Sequence, residues 1–438
     1  MTAAAPTSAV PTRAAAGGRP ALLRRAGLVS GLAAGAWLGA AEAPTKLVTV
    51  GLPPVVVSLA MVLGVFCARW SLPALLQGTA SVGAEVRRAP HLVLWAVLGG
   101  ALWSVANTLT VYAVRDVGLA IAFPLWNANS LLGIAYGALF FNELRGASRA
   151  QRGLVLGGAA TMLAGGTVLA VASAAVRPGA DALRGVASAL GAGALWGTMY
   201  VPYRKAYLTG MSPLAFVTFF TVGEVATMAA LALWLTGGAA PLAAAFGAAR
   251  PVLFFLFAGG FVWVVGDLFQ QYAAKYLGIS RGIPLSNTNQ LWGLAWGVLV
   301  FGELRGRGAP LGPVVAGSVV MAAGAALVAL ASPQAGEAAE WRIAAEREAR
   351  RYGVDVEWVR ARLAGESGDS GEAPRGVSRR PLDWAIALAA TAVFVWLALE
   401  AARPGLHVAA SGAVALAGAS VALLVVAGGL LWRTTRFR

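Results

Sequence analysis

Residues 118–146 read GLAIAFPLWNANSLLGIAYGALFFNELRG, and residues 278–306 read GISRGIPLSNTNQLWGLAWGVLVFGELRG. The two align without a gap at an offset of 160 residues, and 15 of 29 positions are identical. The shared residues include Pro124/Pro284, Asn127/Asn287, Asn129/Asn289, Gly133/Gly293, Gly137/Gly297 and the endings Glu143-Leu-Arg-Gly146 and Glu303-Leu-Arg-Gly306. A helix breaker, two amides and two glycines thus recur inside apolar runs long enough to span a bilayer. A repeat on this scale indicates architecture before any local motif does. In a membrane chain, matched segments interrupted by Pro and Gly in two halves point to a transport site.

Composition agrees. Hydrophobic residues make up 58% of the chain and charged residues 12%, with a mean hydropathy of +0.71. A soluble domain carries about 25% charge, so the chain reads as an all-α polytopic membrane protein. Cys67 is the single cysteine, which excludes a disulfide framework within the chain. His91 and His407 are the only histidines. No metal or cofactor site is expected, and histidine acid–base chemistry has almost no material. The net charge of +15 does not point to nucleic acid, because the charges sit in short loops between apolar runs, as membrane insertion dictates. There is no phosphate-cradling GxxxxGK[ST] for an ATP-driven pump, no nucleophile motif and no ring of charges for an ion channel. No enzyme is expected.

The repeat extends beyond the opening stretch. Gly27, Ser30, Leu32, Gly35, Gly39, Pro44 and Lys46 recur at offset 158 as Gly185, Ser188, Leu190, Gly193, Gly197, Pro202 and Arg204. A basic start, an apolar run and AEA before Pro44 also resemble a cleaved leader. A segment copied mid-chain is better read as a structural helix. Gly99-Gly100/Gly259-Gly260, Trp103/Trp263 and Tyr112/Tyr272 continue the match. Spans are expected at about 27–45, 51–68, 91–113, 117–141 and 152–176, and again at about 183–203, 212–236, 251–274, 277–301 and 309–331, each near the roughly 20 apolar residues a bilayer requires. Five is odd, so the second copy crosses in the opposite sense, as an inverted repeat. The expected divisions are a tail (1–26), a first five-helix repeat (27–176), a second inverted repeat (177–331), a charged linker (332–380) and two additional spans with a C-terminal tail (381–438). The linker carries nine basic and nine acidic residues, which reads as a solvated connector. With both termini inside, 26 of the 34 Lys and Arg fall on the inner side. The positive-inside rule therefore places both termini in the cytoplasm and the chain in the cytoplasmic membrane.

Asn127 lies about 15 Å into its span at 1.5 Å per residue, the middle of a roughly 30 Å core. Asn287 reaches that level from the other side. Buried amides need partners. Residues i and i+2 of a regular helix face opposite ways, so both amides of a pair meet one cavity only where the helix loosens. Pro124 and Pro284, three residues upstream, provide for that. Asn127, Asn129, Asn287, Asn289 and Gln290 are therefore candidates to line a central site, the alternative being amides that tie helices together. Trp103, Trp126, Trp263 and Trp292 fall inside spans rather than in the interfacial belt, and rings beside amides suit a polyhydroxylated ligand. The glycine pairs 133/137 and 293/297 read as close helix packing. Glu42, Glu224 and Asp267 are acidic residues inside spans, where a charge costs about 2.5–3.5 kcal/mol and function is the default hypothesis. Glu42 has Lys46 at i+4 to neutralise it. Asp267 and Glu224 are the candidates for proton coupling, each with structural pairing as its alternative.

Gly39-x-x-x-x-Pro44-x-Lys46, Gly197-x-x-x-x-Pro202-x-Arg204 and the Phe-x-Glu-Leu-Arg-Gly endings, on a five-plus-five inverted plan, resemble the drug/metabolite transporter superfamily. Within it, WGTMYVPYRKAYLTGMSPLAF at 196–216 is most similar to the glucose/ribose porter family of sugar transporters, with rhamnose transporters and plant ureide permeases as neighbours. The resemblance covers about 27–331. It implies a ten-helix core and proton-coupled uptake of a neutral sugar by alternating access. Beyond 331 the chain departs from that pattern by adding the linker and two spans. The alternatives are a ureide- or nucleobase-type permease or exporter on the same scaffold, and a non-transporting membrane scaffold or sensor. Expected partners are a small solute, protons and the lipid bilayer, with a homo-oligomer left open.

Overall fold

The structure, a computed structural model, describes residues 14–176, 180–303, 311–331, 335–367, 379–403, 405–435 and 437. Residues 1–13 of the expected N-terminal tail, and most of the Gly/Ser-rich part of the linker, lie outside them. The described residues form helices and no strand. In order these are α1 (Ala14–Ala41), α2 (Pro54–Leu76), α3 (Thr79–Arg88), α4 (His91–Val117), α5 (Leu119–Trp126), α6 (Asn129–Phe141), α7 (Arg149–Val176), α8 (Ala180–Leu208), α9 (Pro213–Thr236), α10 (Ala239–Ala249), α11 (Leu253–Leu277), α12 (Ile279–Ser286), α13 (Asn289–Ala295), α14 (Leu311–Leu330), α15 (Ala335–Arg351), α16 (Val356–Ser367), α17 (Pro381–Glu400) and α18 (Ala410–Thr435). Nine helices among the described residues are long and apolar enough to cross a bilayer, with α5–α6 counted as one and α10–α11 as one. The chain is a multi-pass all-α membrane protein.

Several helices outrun their apolar windows. α1 begins at Ala14 rather than near 27, and α2 continues past 68 to Leu76. An apolar window marks where a helix meets hydrocarbon, not where its backbone ends. The two proline-bearing spans break as their sequence requires. α5 stops at Trp126 and α6 starts at Asn129, while α12 stops at Ser286 and α13 starts at Asn289. Beyond α13 the second copy passes through a π-helical turn at Trp296–Val300.

Packing repeats with the sequence. α1 runs along α11 as α8 runs along α4, and α2 crosses α11 as α9 crosses α4. At these crossings the backbones touch: a Cβ on Gly100 would lie 2.0 Å from the Phe220 carbonyl oxygen, and one on Gly260 would lie 1.9 Å from that of Met61. α7 lies against α14. The two added helices sit outside this core. Phe394 of α17 packs edge-on to Phe257 and Phe261 of α11, and Trp37 of α1 donates to the Ser420 carbonyl of α18 at 2.8 Å. Their other faces expose large apolar side chains such as Leu388, Leu399 and Val414, as helices bordered by lipid do.

The linker is not the solvated connector its charge suggested. α15 is amphipathic, and one face buries Glu337, Ala344, Ala345, Glu348 and Ala349. Glu337 grips Arg281 of α12 with two contacts of 2.9 and 2.8 Å, both residues being buried. Glu348 pairs with Lys205, and Trp341 lies over the Arg204 guanidinium at 4.3 Å. A charge count over the segment averages this face with the exposed one, where Arg360 bonds Glu346 at 2.7 Å and holds its carboxyl below the usual carboxylate range.

Candidate functional site

Each broken helix begins with a glycine in the left-handed region, Gly118 at φ 83° and Gly278 at φ 84°, a conformation that side chains rarely adopt. The turn aims the free amides of the next helix at a carboxylate from the other repeat. Leu119 N and Ala120 N donate to Glu303 at 3.2 and 3.0 Å. Ile279 N and Ser280 N donate to Glu143 at 3.1 and 2.8 Å. A carboxylate at a helix N-terminus satisfies orphan donors and opposes the helix dipole. Each carboxylate also holds a cation: Arg204 Nε lies 2.8 Å from Glu143 Oε1, and Lys46 pairs with Glu303. The second glycine of each small-residue pair leaves room for these carboxylates rather than for a helix. A Cβ on Gly137 would lie 2.7 Å from Glu143 Oε2, and one on Gly297 would lie 2.6 Å from Glu303 Oε2. Gly293 does serve close packing, against the Phe123 ring.

Between these ends the four asparagines meet. Asn127 Nδ2 donates to Asn289 Oδ1 at 2.5 Å, and Asn287 Nδ2 donates to Asn129 Oδ1 at 2.9 Å. Asn287 Nδ2 also reaches the Asn127 carbonyl at 2.9 Å. The pattern maps onto itself when the repeats are exchanged. Both pairs of amides converge because both helices are interrupted between them. Much of their bonding capacity is spent on each other, and Asn129 Nδ2 donates to the Tyr200 hydroxyl at 3.2 Å.

All four asparagines border one cavity. One wall is aromatic. Trp126 stands edge-on to Trp196 at 5.7 Å, and Phe123, Tyr200 and Trp263 complete it. Leu38, Glu42 and Gln270 border the cavity too. Gln270 donates to Ser286 Oγ at 2.6 Å. Among the described residues, the buried Trp196 indole nitrogen and Glu42 carboxylate at this cavity have no protein hydrogen-bond partner.

Of the other expected residues, Trp103 is fully buried behind Trp263, ring centroids 4.8 Å apart, with its indole nitrogen unbonded. Gln290 is buried beside Asn289 with both amide atoms unpartnered, and neither it nor Trp103 borders the cavity. Trp292 is half-buried and packs on Gly39. Asp267 and Glu224 also lie outside the cavity lining. They share Arg69, at 2.7 and 2.9 Å, and all three are buried. Gln271 adds a bond to Asp267 at 2.6 Å, and the Phe220 ring lies 4.5 Å from the guanidinium.

Arg69 lies just beyond the expected 51–68 span, and the apolar stretch after Trp70 is the signal that the helix continues with the arginine inside it. Lys46, the i+4 neighbour available to neutralise Glu42, turns to Glu303 instead.

Residues 189–346 match the profile of a protein family described as "Sugar transport protein". The matched region runs from α8 through the second broken helix into α15. No curated protein matches the sequence. A solved structure described only as "Crystal structure of protein" is 17% identical, covering 70% of this chain and 97% of its own, with a TM-score of 0.38. At that score it bears on neither fold nor function. The apolar helices and the family match together support a membrane transporter of the sugar type.

Proposed function

We propose that the protein is a secondary transporter that moves a small neutral polar solute, a monosaccharide, across the cytoplasmic membrane by alternating access. Both termini would lie in the cytoplasm, with α15 on the inner side. The observation that carries this is the crossed set of asparagine bonds at the cavity. Two interrupted helices, one from each repeat, present amides to a single site on the pseudo-two-fold axis, where a rocking motion can expose it to either side. Trp126, Trp196 and Trp263 offer ring faces to the C–H side of a sugar. Asn127, Asn129, Asn287 and Asn289 offer bonds to its hydroxyls once the crossed set yields, while Trp103, Gln290 and Trp292 support the wall from behind.

Inward proton movement would drive uptake. Asp267 and Glu224, expected from sequence to carry the proton, share Arg69, which supports a second role: clamping α2, α9 and α11 together. The same aromatic wall favours a planar solute as the second reading, a ureide or nucleobase.

The test is uptake of a labelled panel of monosaccharides, a ureide and a nucleobase into proteoliposomes, with and without an inward proton gradient. Uphill uptake of one sugar that collapses with the gradient is expected. Uptake of the planar solutes alone would replace the sugar assignment, and no uptake by folded protein would remove transport.

A further inference from the structure

Glu42 stands where α1 gives way to the 3-10 turn Ala43–Val50. It is 2% exposed and borders the cavity, and neither carboxylate oxygen has a hydrogen-bond partner. The other buried carboxylates of the core are held: Glu143 and Glu303 by backbone amides and a cation each, Glu224 and Asp267 by Arg69. We infer that Glu42 carries the coupling proton of the cavity and trades it for contact with the bound solute. This rests on the transport function proposed above.

The repeat shows what is unusual about the position. The offset of 158 that aligns Gly39 with Gly197 and Pro44 with Pro202 aligns Glu42 with Tyr200. Tyr200 closes its half of the site by accepting from Asn129. Glu42 and Asn289 are the equivalent pair in the other half. Both border the cavity, and no hydrogen bond joins them. One half-site is therefore completed by protein and the other is left open at a carboxylate.

Among the described residues, the elements packed around this turn bring it no countercharge. Lys46 on the turn itself pairs with Glu303. Arg69 of α2 lies between Glu224 and Asp267. Arg115 and Asp116 at the end of α4 pair with each other, and Asp116 also pairs with Arg184. Lys275 is at the opposite end of α11, where Gly27 packs on Tyr276 and Leu277. Tyr200 is the other titratable group bordering the cavity.

An ionised carboxylate buried without a partner is costly, so it must be neutralised by a proton or by donors that a ligand brings. Water on the side of higher proton activity supplies one proton to the Glu42 carboxylate, giving a neutral acid that donates a hydrogen bond to a solute oxygen. The Trp196 N–H donates to a second oxygen. After the cavity opens to the other side, the acid returns its proton to water and the solute leaves. One proton crosses with each solute, and no solute bond is made or broken.

Two measurements test this on the full chain. The first is labelling with dicyclohexylcarbodiimide, mapped by mass spectrometry. A protonated carboxyl adds across one C=N bond and rearranges to a stable N-acylurea. We expect the adduct at Glu42, falling as pH rises and absent in Glu42→Gln. An adduct on Asp267 or Glu224 with Glu42 unmodified would overturn the assignment. The second compares gradient-driven accumulation with counterflow in proteoliposomes, using labelled glucose and ribose. Glu42→Gln should lose accumulation down to the equilibrium distribution, lose far less counterflow, and make counterflow independent of pH. Accumulation equal to the wild type would overturn the inference. If Glu42→Gln does not fold, Glu42→Asp should shift the pH profile of counterflow, and an unshifted profile would count equally against it. If the wild type moves neither sugar, the sugar assignment fails while the labelling still decides Glu42: a pH-dependent adduct keeps it as the protonatable group, and its absence removes it.

Discussion

Glu143 and Glu303 act alike at opposite ends of the molecule, each capping a broken helix of the other repeat and each holding a cation. What surrounds them differs. At the Glu143 end, α15 lies across the junction. Its Glu337 and Glu348 neutralise buried Arg281 and Lys205, and its Trp341 covers Arg204. At the Glu303 end, the described residues place the chain between α17 and α18. Ala402 N donates to the Pro251 carbonyl at 2.8 Å, Ala409 N donates to that of Val300 at 3.0 Å, and Arg250 pairs with Glu400 at 2.8 Å in an exposed setting. The lesson is one of solvation. An exposed pair exchanges its contacts for water at little cost, whereas a buried pair that loses one member strands a charge. Parting the Glu143 end thus requires undoing interactions that water does not readily replace.

The largest expected effect tests that asymmetry directly. Glu143→Ala strands Arg204 under Trp341 and uncaps α12, and should cost about 3–5 kcal/mol, the scale for breaking a buried pair. Glu303→Ala should cost less, because it strands a lysine that is not roofed by α15. Thermal unfolding of both variants, followed by tryptophan fluorescence, measures the difference. Equal losses would break the comparison.

Glu337→Gln keeps the shape of the contact and removes its charge, a loss of about 1.5–3 kcal/mol on the scale for hydrogen bonds to charged groups. Its signature is local. Hydrogen exchange should rise across 335–351 and stay unchanged across 401–409. A rise in both segments would mean that α15 holds the whole core rather than one end.

The centre should behave symmetrically where the ends do not. Asn127→Ala and Asn287→Ala each delete the donor of a crossed bond and should destabilise by similar amounts, about 1–3 kcal/mol each. A large difference in their melting temperatures would show that the asymmetry extends into the cavity. The smallest effect belongs to Arg250→Ala. That exposed pair should contribute within about 1 kcal/mol, and a larger shift would mean that the 401–409 segment clamps its end after all.

Much of this plan was legible in the chain. The prolines before each Asn-x-Asn announced where the helices would part, because a proline removes a backbone donor and crowds the preceding turn wherever it stands. The glycine pairs were visible too, but their use was not. Gly137 and Gly297 read as helix-packing sites, and only the fold shows that the space goes to carboxylates six residues downstream. Arg69 was not legible as a membrane residue, because the two carboxylates that neutralise it, Glu224 and Asp267, lie far along the chain. The buried face of α15 was hidden because its charges, counted along the chain, look like those of a solvated segment.

The sequence by itself determined the membrane helices, the duplication, the positions of the breaks and the gathering of amides there, because hydropathy, backbone restriction and repetition are properties of neighbouring residues. Only the tertiary structure decided which charges are answered. Arg69 and Asp267 are 198 residues apart along the chain and 2.7 Å apart in space, whereas Lys46, four residues from Glu42, turns to Glu303. Ion pairing depends on distance between side chains within a low-dielectric interior, and the helix packing that sets those distances is the sum of contacts over the whole chain.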